Sequence, residues 1–337
     1  MGIFQDITTR NLTLDGAMGT MIQRYPLSEE DFKGSRFAHH LIPLKGNNDL
    51  LCITRPDIIT EIHLQYFEAG ADIVETNTFN AQQISMEDYQ LTDCISEVNK
   101  AAVKCAIDAR NLYYQKHGDN IKKYIAGAVG PTSKTASLSP KVEDPAYRAI
   151  TFETLTSAYF EQIEALVLAG VDAILIETIF DTLNAKAAFF AAIQVLEKHN
   201  LQPITKAHPN GDIALMASGT ITDAAGRTLS GQTAAAFAIS LSHLPLFSIG
   251  FNCALGADQL LPYIKELKKY SSAFISAYPN AGLPNALGQY DETPATMGEK
   301  VTPYVSEHHV QILGGCCGTT PHHIHVIAEL NQQHRPL

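Results

Sequence analysis

The chain has 337 residues, is 45% hydrophobic and carries a formal net charge of −11 at pH 7. The length allows either two domains of ~150 residues or one larger (β/α)8 barrel, and the negative charge argues against nucleic acid or an anionic membrane surface as a partner. We expect no signal peptide and no membrane span, because residues 1–10 lack an apolar core and no run of 18 apolar residues occurs.

Short apolar runs alternate with helical segments along the whole chain. We predict eight strands from these runs, at 12–14, 72–74, 124–129, 173–176, 213–216, 246–249, 273–276 and 310–313. Apolar residues recur with a helical period in the connecting segments 56–69, 98–112, 146–169 and 183–196. Continuous apolar strands that alternate with helices indicate a parallel sheet covered on both faces. The sequence therefore predicts an α/β fold, a single (β/α)8 barrel forming one domain over residues 1–337, with its site at the C-terminal ends of the strands.

Polar or glycine-rich sequence follows nearly every predicted strand. Asp15 ends the first strand and Glu177 ends the fourth, so both carboxylates are expected at the mouth of the barrel. They could recognise a substrate ammonium group; for Asp15 a structural hydrogen bond or helix cap is an equal alternative. The segment Gly16-Ala17-Met18-Gly19 could present backbone N–H groups to a carboxylate or a phosphate.

Three cysteines lie at the ends of the sixth and eighth predicted strands. Cys316 and Cys317 are adjacent, in a glycine-rich turn before Thr320-Pro321, a pair typical of a helix start. Cys253 follows the sixth strand, and the seventh strand should bring Asn280 to the same place. Three thiolates suit zinc and leave a fourth position open for substrate, whereas idle buried thiols, or a structural zinc completed by a histidine, are the alternatives. Convergence at one barrel mouth favours the catalytic zinc.

Other barrel chemistries fit less well. A retaining glycosidase needs two close carboxylates, but the seventh strand end, Tyr278-Pro279-Asn280, offers none. The first strand also lacks the His-x-His of binuclear metal hydrolases. Six cysteines in a chain of this length, two of them adjacent, are not typical of a disulfide framework and indicate a cytoplasmic protein.

The motifs resemble those of the homocysteine S-methyltransferase family over essentially the whole chain. They are Asp15-Gly16-Ala17-Met18-Gly19-Thr20, Glu75-Thr76-Asn77-Thr78-Phe79, the segment 177–186, Asn252-Cys253-Ala254-Leu255-Gly256 and Gly314-Gly315-Cys316-Cys317-Gly318. The segments 45–49 and 218–233 look specifically like the homocysteine-binding module of cobalamin-dependent methionine synthases.

This resemblance implies a barrel with a zinc ion held by Cys253, Cys316 and Cys317, which are then the catalytic and metal residues. It implies that homocysteine binds through its amino and carboxylate groups at the Asp15 loop, with Gly16 and Ala17, and at Glu177. We further expect Thr76 and Asn280 to contact the substrate, with Asn280 a candidate weak fourth ligand of the metal. The substrate sulfur would take the open zinc position as a zinc thiolate, attack a methyl group and leave as methionine.

The resemblance implies methylcobalamin as the methyl donor, but the chain ends at Leu337 and contains nothing like a cobalamin-binding domain. We therefore expect a cobalamin-binding domain or protein as a partner, with this chain either an excised module or a stand-alone protein. A methyltransferase using S-methylmethionine or betaine, and a non-catalytic homocysteine-binding zinc module, are the alternatives. Segment 208–212 has no role that the sequence assigns.

Overall fold

The computed structural model describes residues 2–118, 120–222 and 225–335. Within them, nine strands form one sheet in which all pairs are parallel. The strands are β1 (Leu12–Thr13), β2 (Ile73–Glu75), β3 (Tyr124–Val129), β4 (Ala173–Ile179), β5 (Pro203–Ile204), β6 (Ile213–Gly219), β7 (Ser248–Gly256), β8 (Phe274–Asn280) and β9 (Ile312–Leu313).

Eight of these strands form the barrel wall. Their spatial order is β1-β9-β8-β7-β6-β4-β3-β2, and a bridge between Leu14 and Ile73 joins β1 to β2 and closes the ring. The predicted α/β fold, a single (β/α)8 barrel, is therefore confirmed, and each of the eight predicted strands corresponds to a wall strand. The ninth strand, β5, is two residues long and pairs only with the start of β6.

Helices surround the wall and fill the connections. They are α1 (Ile3–Thr9), α2 (Met18–Ile22), α3 (Glu29–Lys33), α4 (Leu51–Thr54), α5 (Pro56–Glu68), α6 (Gln83–Glu87), α7 (Ile95–His117), α8 (Phe152–Ala169), α9 (Thr182–Lys198), α10 (Ala234–Leu241), α11 (Ala257–Lys268), α12 (Pro294–Ser306) and α13 (Pro321–Gln333). Single 3-10 turns lie at Asn48–Leu50 and Thr92–Cys94.

Helix ends follow the local capping residues. The helix expected over 146–169 begins only at Phe152, because the Thr151 side chain accepts a hydrogen bond from the backbone N–H of Thr154 and caps the helix there. As predicted, Thr320 is the N-cap of α13 and Pro321 its first residue. This helix start fixes the end of the glycine-rich turn that carries Cys316 and Cys317.

Strand alternation divides the apolar core into two layers. Side chains such as Tyr124, Leu175 and Met216 pack together inside the barrel, and their strand neighbours face the helices in a larger cluster. Ile3 and Ile7 of α1 belong to the inner cluster, so this helix covers the N-terminal end of the barrel. The C-terminal end of the barrel carries the long loops that follow the wall strands.

The segment 208–212 forms a turn at the start of β6. The Asp212 carboxylate accepts a hydrogen bond from the Gln202 N–H, and the Asp212 N–H donates to the Gln202 carbonyl. This turn holds β5 beside β6, on the face of the barrel away from the cysteines. Separately, in the part of the chain that the structure describes, no helix is long and apolar enough to cross a membrane.

Candidate active site

The three cysteines singled out from the sequence converge. The sulfur atoms of Cys253, Cys316 and Cys317 all lie within 4.8 Å of one another, and the Cys253 and Cys317 sulfurs are 3.6 Å apart. Cys253 lies in β7, while the pair lies in the turn between β9 and α13. The barrel closure therefore brings together residues that are 63 or more positions apart in sequence.

The backbone at Cys253 is bent by an irregularity in β7. The register with β8 shifts between Asn252 and Gly256, and Cys253 and Ala254 have φ values of 60° and 57°. Non-glycine residues rarely adopt this conformation, and each such residue costs on the order of 1–3 kcal/mol. The bend turns the Cys253 thiol toward the cysteine pair, and β7 continues past this residue instead of ending at it.

Asn252 holds this bend in place, a role that the sequence analysis missed. Its side-chain oxygen accepts hydrogen bonds from the Thr178 N–H at 3.0 Å and the Ser218 hydroxyl at 2.7 Å. Its amide nitrogen donates to the Thr178 hydroxyl at 2.9 Å and faces the Cys316 sulfur at 3.8 Å. One fully buried amide thus joins β4, β6, β7 and the cysteine turn.

Interactions among the three thiols shift their pKa values in different directions. Interactions with Cys253 and Cys316 lower the pKa of the Cys317 thiol well below its ordinary value. The pKa of Cys316 is raised by its interactions with the other two thiols and by burial. For Cys253, an interaction with Cys316 lowers the pKa, but the interaction with Cys317 and burial outweigh it, so the pKa is raised. The thiols thus stabilise the ionised form of one of their number, and the direction of the pKa shifts assigns it to Cys317.

The donor set fits a tetrahedral metal. Zinc–sulfur bonds of ~2.3 Å at tetrahedral angles would place sulfur atoms about 3.8 Å apart, close to the observed 3.6 Å between Cys253 and Cys317. Asn280, at the end of β8, is buried, and its side-chain oxygen has no hydrogen-bond partner. The three thiols form a site that can hold a metal ion.

The cysteines form part of the wall of a cavity of about 300 Å³. Five of the six predicted substrate-binding residues also line it, namely Asp15, Gly16, Ala17, Thr76 and Glu177. Asn280 is not among the described residues that line this cavity, although it is the next residue after Pro279, whose carbonyl accepts a hydrogen bond from the Cys316 N–H. The structure therefore gathers the predicted site around one space at the C-terminal ends of the strands.

Three carboxyl groups share the cavity wall: Asp15 and Glu177, which are buried, and Glu75, which is half-buried. Burial raises the pKa of Glu177 to about 7, partly offset by its interaction with Glu75. Burial and the neighbouring Glu177 also raise the pKa of Asp15 and of Glu75, although a hydrogen bond from the Glu75 N–H opposes the rise for Asp15. Burial therefore favours the protonated form of all three groups, and a cation bound among them would favour the ionised form.

Glu75 is a site residue that the sequence analysis did not propose. Its signal was present in the sequence, because Glu75 follows the predicted strand 72–74 in the same way that Asp15 and Glu177 follow their own predicted strands. Tyr278 was also missed: it is buried in β8 with its hydroxyl at the cavity and without a hydrogen-bond partner. Both face the cavity because alternate residues of a barrel strand point inward.

The backbone of segment 16–19 is partly engaged in hydrogen bonds within the protein. The Ala17 N–H already donates to the Thr319 hydroxyl at 3.2 Å, and the Ala17 carbonyl accepts from the Tyr66 hydroxyl at 3.1 Å. Thr319 in turn donates to the Cys316 carbonyl at 2.6 Å. The Ala17 N–H is therefore engaged within the protein and ties the segment to the cysteine turn, while anion binding by the other N–H groups of the segment stays a prediction. The Thr76 hydroxyl is likewise engaged, with Thr78 and the Ala128 N–H.

The fold and the cysteine cluster define a (β/α)8 barrel with a candidate metal site at the mouth of the barrel. The sequence model of the homocysteine S-methyltransferase family matches residues 12–330, so the chain belongs to that family. The crystal structure of the homocysteine methyltransferase MmuM from Escherichia coli is similar in its oxidized form, with a TM-score of 0.71 and 19% identity over 95% of each chain. Its metallated form matches with a TM-score of 0.70 and 21% identity over 95% of this chain and 96% of that one. At these identities the likeness shows the fold.

Proposed function

We propose that this chain is a zinc-dependent homocysteine methyltransferase that uses methylcobalamin as donor and forms methionine. One observation carries the proposal: three thiols within 4.8 Å of one another line the same cavity as three carboxyl groups, of which Asp15 and Glu177 are buried and Glu75 is half-buried. A thiol-rich metal site suits a sulfur ligand, and carboxylates suit an ammonium group. Homocysteine carries both groups, and a cavity of about 300 Å³ is of a size that binds small molecules.

The metal site is assigned to Cys253, Cys316 and Cys317, with the Asn280 oxygen as the replaceable fourth ligand. Bound zinc would lower the pKa of the substrate thiol, so that a nucleophilic thiolate exists at neutral pH. The protein contributes the placement of the sulfur donors. The bend at Cys253 and the amide of Asn252 fix two of them before any ligand arrives, which saves the entropy of ordering them during binding.

The substrate amino group is assigned to Asp15, Glu75 and Glu177. An arriving ammonium ion favours the charged form of these carboxyl groups, whereas burial favours the protonated form, so binding should release protons. Gly16, Ala17 and Thr76 line the same cavity, and we assign them to the shape of the carboxylate side of the substrate. Binding of both the amino group and the carboxylate would orient the substrate so that its sulfur points toward the thiol cluster.

The donor assignment rests on the two segments that look like those of cobalamin-dependent enzymes. In segment 45–49, Gly46, Asn48 and Asp49 line the cavity; in segment 218–233, Ser218 binds the Asn252 amide, while Asp223 and Ala224 lie outside the described residues. We propose that a cobalamin-binding domain or protein delivers the donor to this mouth. Because the thiol cluster must stay reduced to bind metal, we also propose a cytoplasmic location.

The test is methyl transfer to homocysteine, measured with methylcobalamin, S-methylmethionine and betaine as separate donors. Cys316→Ala should lose both zinc retention and transfer. Cys94→Ala is the matched control, because Cys94 is a buried cysteine in a 3-10 turn outside the cavity, and it should retain both. Transfer from S-methylmethionine or betaine alone would refute the donor assignment. Full activity and zinc content in Cys316→Ala would refute the metal site.

A further inference from the structure

Tyr278 brings a polar group to the base of the substrate cavity. The residue lies in β8, is 1% exposed and packs in the inner cluster of the barrel, and it also lines the cavity. Its ring therefore closes the barrel interior beneath the cavity. Within the described part of the chain, its hydroxyl has no hydrogen-bond partner of good geometry. A buried hydroxyl without a partner is costly, so a bound molecule that supplies one gains affinity.

Asp15 contributes a second buried oxygen without a partner to the same cavity. One oxygen of its carboxyl group, Oδ2, accepts a hydrogen bond from the Glu75 N–H at 3.0 Å, which fixes the group in place. The other oxygen, Oδ1, is shielded from solvent and has no partner among the residues that the structure describes. Two unsatisfied oxygen atoms, one from a hydroxyl and one from a carboxyl group, thus belong to one cavity wall.

The charge around the hydroxyl decides which substrate group suits it. Tyr278 lies beside Glu177: burial raises the pKa of this carboxyl group, and the Tyr278 hydroxyl, after Glu75, opposes the rise. A substrate carboxylate is disfavoured among three carboxyl groups, whereas an ammonium group is favoured. An ammonium group carries three N–H donors and no acceptor, and a hydroxyl can accept one of them while it donates its own proton to a carboxylate.

We propose that Tyr278 is a substrate-binding residue whose hydroxyl accepts a hydrogen bond from the substrate ammonium group, beside the unpartnered Oδ1 of Asp15. The inference rests on the proposed function, which places homocysteine in this cavity. With Glu177, the two atoms offer one oxygen acceptor for each N–H of the ammonium group. Tyr278 thereby selects thiols that carry an amino group.

One strand end then sets the distance between the two ends of the substrate. Tyr278 is followed by Pro279, whose carbonyl accepts a hydrogen bond from the Cys316 N–H at 2.8 Å. The ammonium site and the thiol cluster are therefore fixed to consecutive residues of β8. A thiol without an amino group would reach the metal but gain nothing from Tyr278.

Tyr278→Phe removes the hydroxyl and keeps the ring in the inner cluster. Tyr124→Phe is the matched control, because Tyr124 packs in the same cluster but its hydroxyl donates to the Asp6 carboxylate at 2.9 Å. Homocysteine and 4-mercaptobutanoate, which is homocysteine without its amino group, are titrated into zinc-loaded protein. In Tyr278→Phe, homocysteine affinity should fall about 10-fold or more, as expected for a lost hydrogen bond to a charged group, while affinity for 4-mercaptobutanoate stays unchanged. Tyr124→Phe should bind both ligands as the wild type does.

Unchanged homocysteine affinity in Tyr278→Phe would overturn the inference, and so would an equal loss for both ligands, since a merely structural hydroxyl would affect them alike. The midpoint of urea unfolding is an independent readout. It should not fall in Tyr278→Phe, because the lost hydroxyl had no partner, and a lower midpoint would show that the hydroxyl serves the fold. Failure of the wild-type protein to bind homocysteine would instead overturn the proposed function, and this inference with it.

Discussion

Replacing Glu177 with Gln should stabilise the substrate-free protein at alkaline pH while weakening homocysteine binding. Glu177 is 5% exposed and lines the same cavity as two other carboxyl groups, those of Asp15 and Glu75. Gln keeps the shape of the side chain and removes the charge that the folded protein resists. Stability and function should therefore move in opposite directions in one variant.

The magnitude follows from the pKa of Glu177, which is about 7 in the folded protein instead of 4.5. At ~1.36 kcal/mol per pKa unit, ionising this group costs about 3 kcal/mol more in the folded than in the unfolded state. Because the folded pKa is raised, the folded state binds the proton more tightly. The contribution of Glu177 to stability is therefore fully present below pH 4.5 and is lost as the pH rises through about 7.

The assay is urea unfolding of metal-free, substrate-free protein at pH 5 and pH 8. Glu177→Gln should exceed wild type by about 3 kcal/mol at pH 8 and by much less at pH 5. Glu153→Gln, on the exposed surface of α8, is the matched control and should change neither value. Isothermal titration should show homocysteine binding weakened by about 10- to 100-fold, since one partner of the ammonium group is lost.

Equal or lower stability of Glu177→Gln at pH 8 would refute the reasoning, because it would mean that the carboxylate is already compensated in the folded state. Undiminished homocysteine binding would refute the assignment of the ammonium group to this carboxyl cluster.

Three further predictions concern buried residues. Asn252→Ala should lower the free energy of unfolding by about 3 kcal/mol, because several buried partners lose their hydrogen bonds. It should also lower zinc affinity about 10- to 100-fold in a chelator competition, and unchanged zinc affinity would contradict the supporting role of Asn252. His63→Leu should stabilise the protein by about 1–3 kcal/mol in urea unfolding at pH 5, because both ring nitrogens of this fully buried histidine lack partners and burial lowers its pKa to about 3. Since the folded protein resists protonation of this histidine, the free energy of unfolding of the wild-type protein should fall as the pH drops below ~6.5. The same pH dependence in His63→Leu would contradict this explanation. Gly250→Ala should give no soluble protein, since the added Cβ would lie 1.9 Å from the Ser276 carbonyl oxygen in the neighbouring strand. Gly19→Ala is the control and should express normally, because a Cβ added at Gly19 meets nothing within 4 Å. Soluble Gly250→Ala protein would show that β7 and β8 can separate.

The barrel could be predicted from sequence because its signal is repetitive. Each wall strand is a short apolar run followed by polar or glycine-rich residues, and parallel strands align those ends at one mouth. The same logic placed Cys253 beside Cys316 and Cys317 across a sequence gap of more than 60 residues. Residues at strand ends are thus located by topology alone.

Other features depend on contacts that no local pattern encodes. The bend at Cys253 occurs at non-glycine residues, and Asn252, which supports it, resembles any polar residue in a strand. The engagement of the Ala17 N–H by Thr319 joins opposite ends of the chain. Such long-range hydrogen bonds appear only once the fold is known.

The central claim, that three cysteines hold a zinc ion which receives the homocysteine sulfur, is tested most directly by zinc K-edge X-ray absorption with and without homocysteine. We predict three sulfur neighbours and one lighter ligand in the substrate-free protein, and four sulfur neighbours after homocysteine is added. Absence of zinc, or a ligand shell of four sulfur or nitrogen atoms that homocysteine leaves unchanged, would contradict the account.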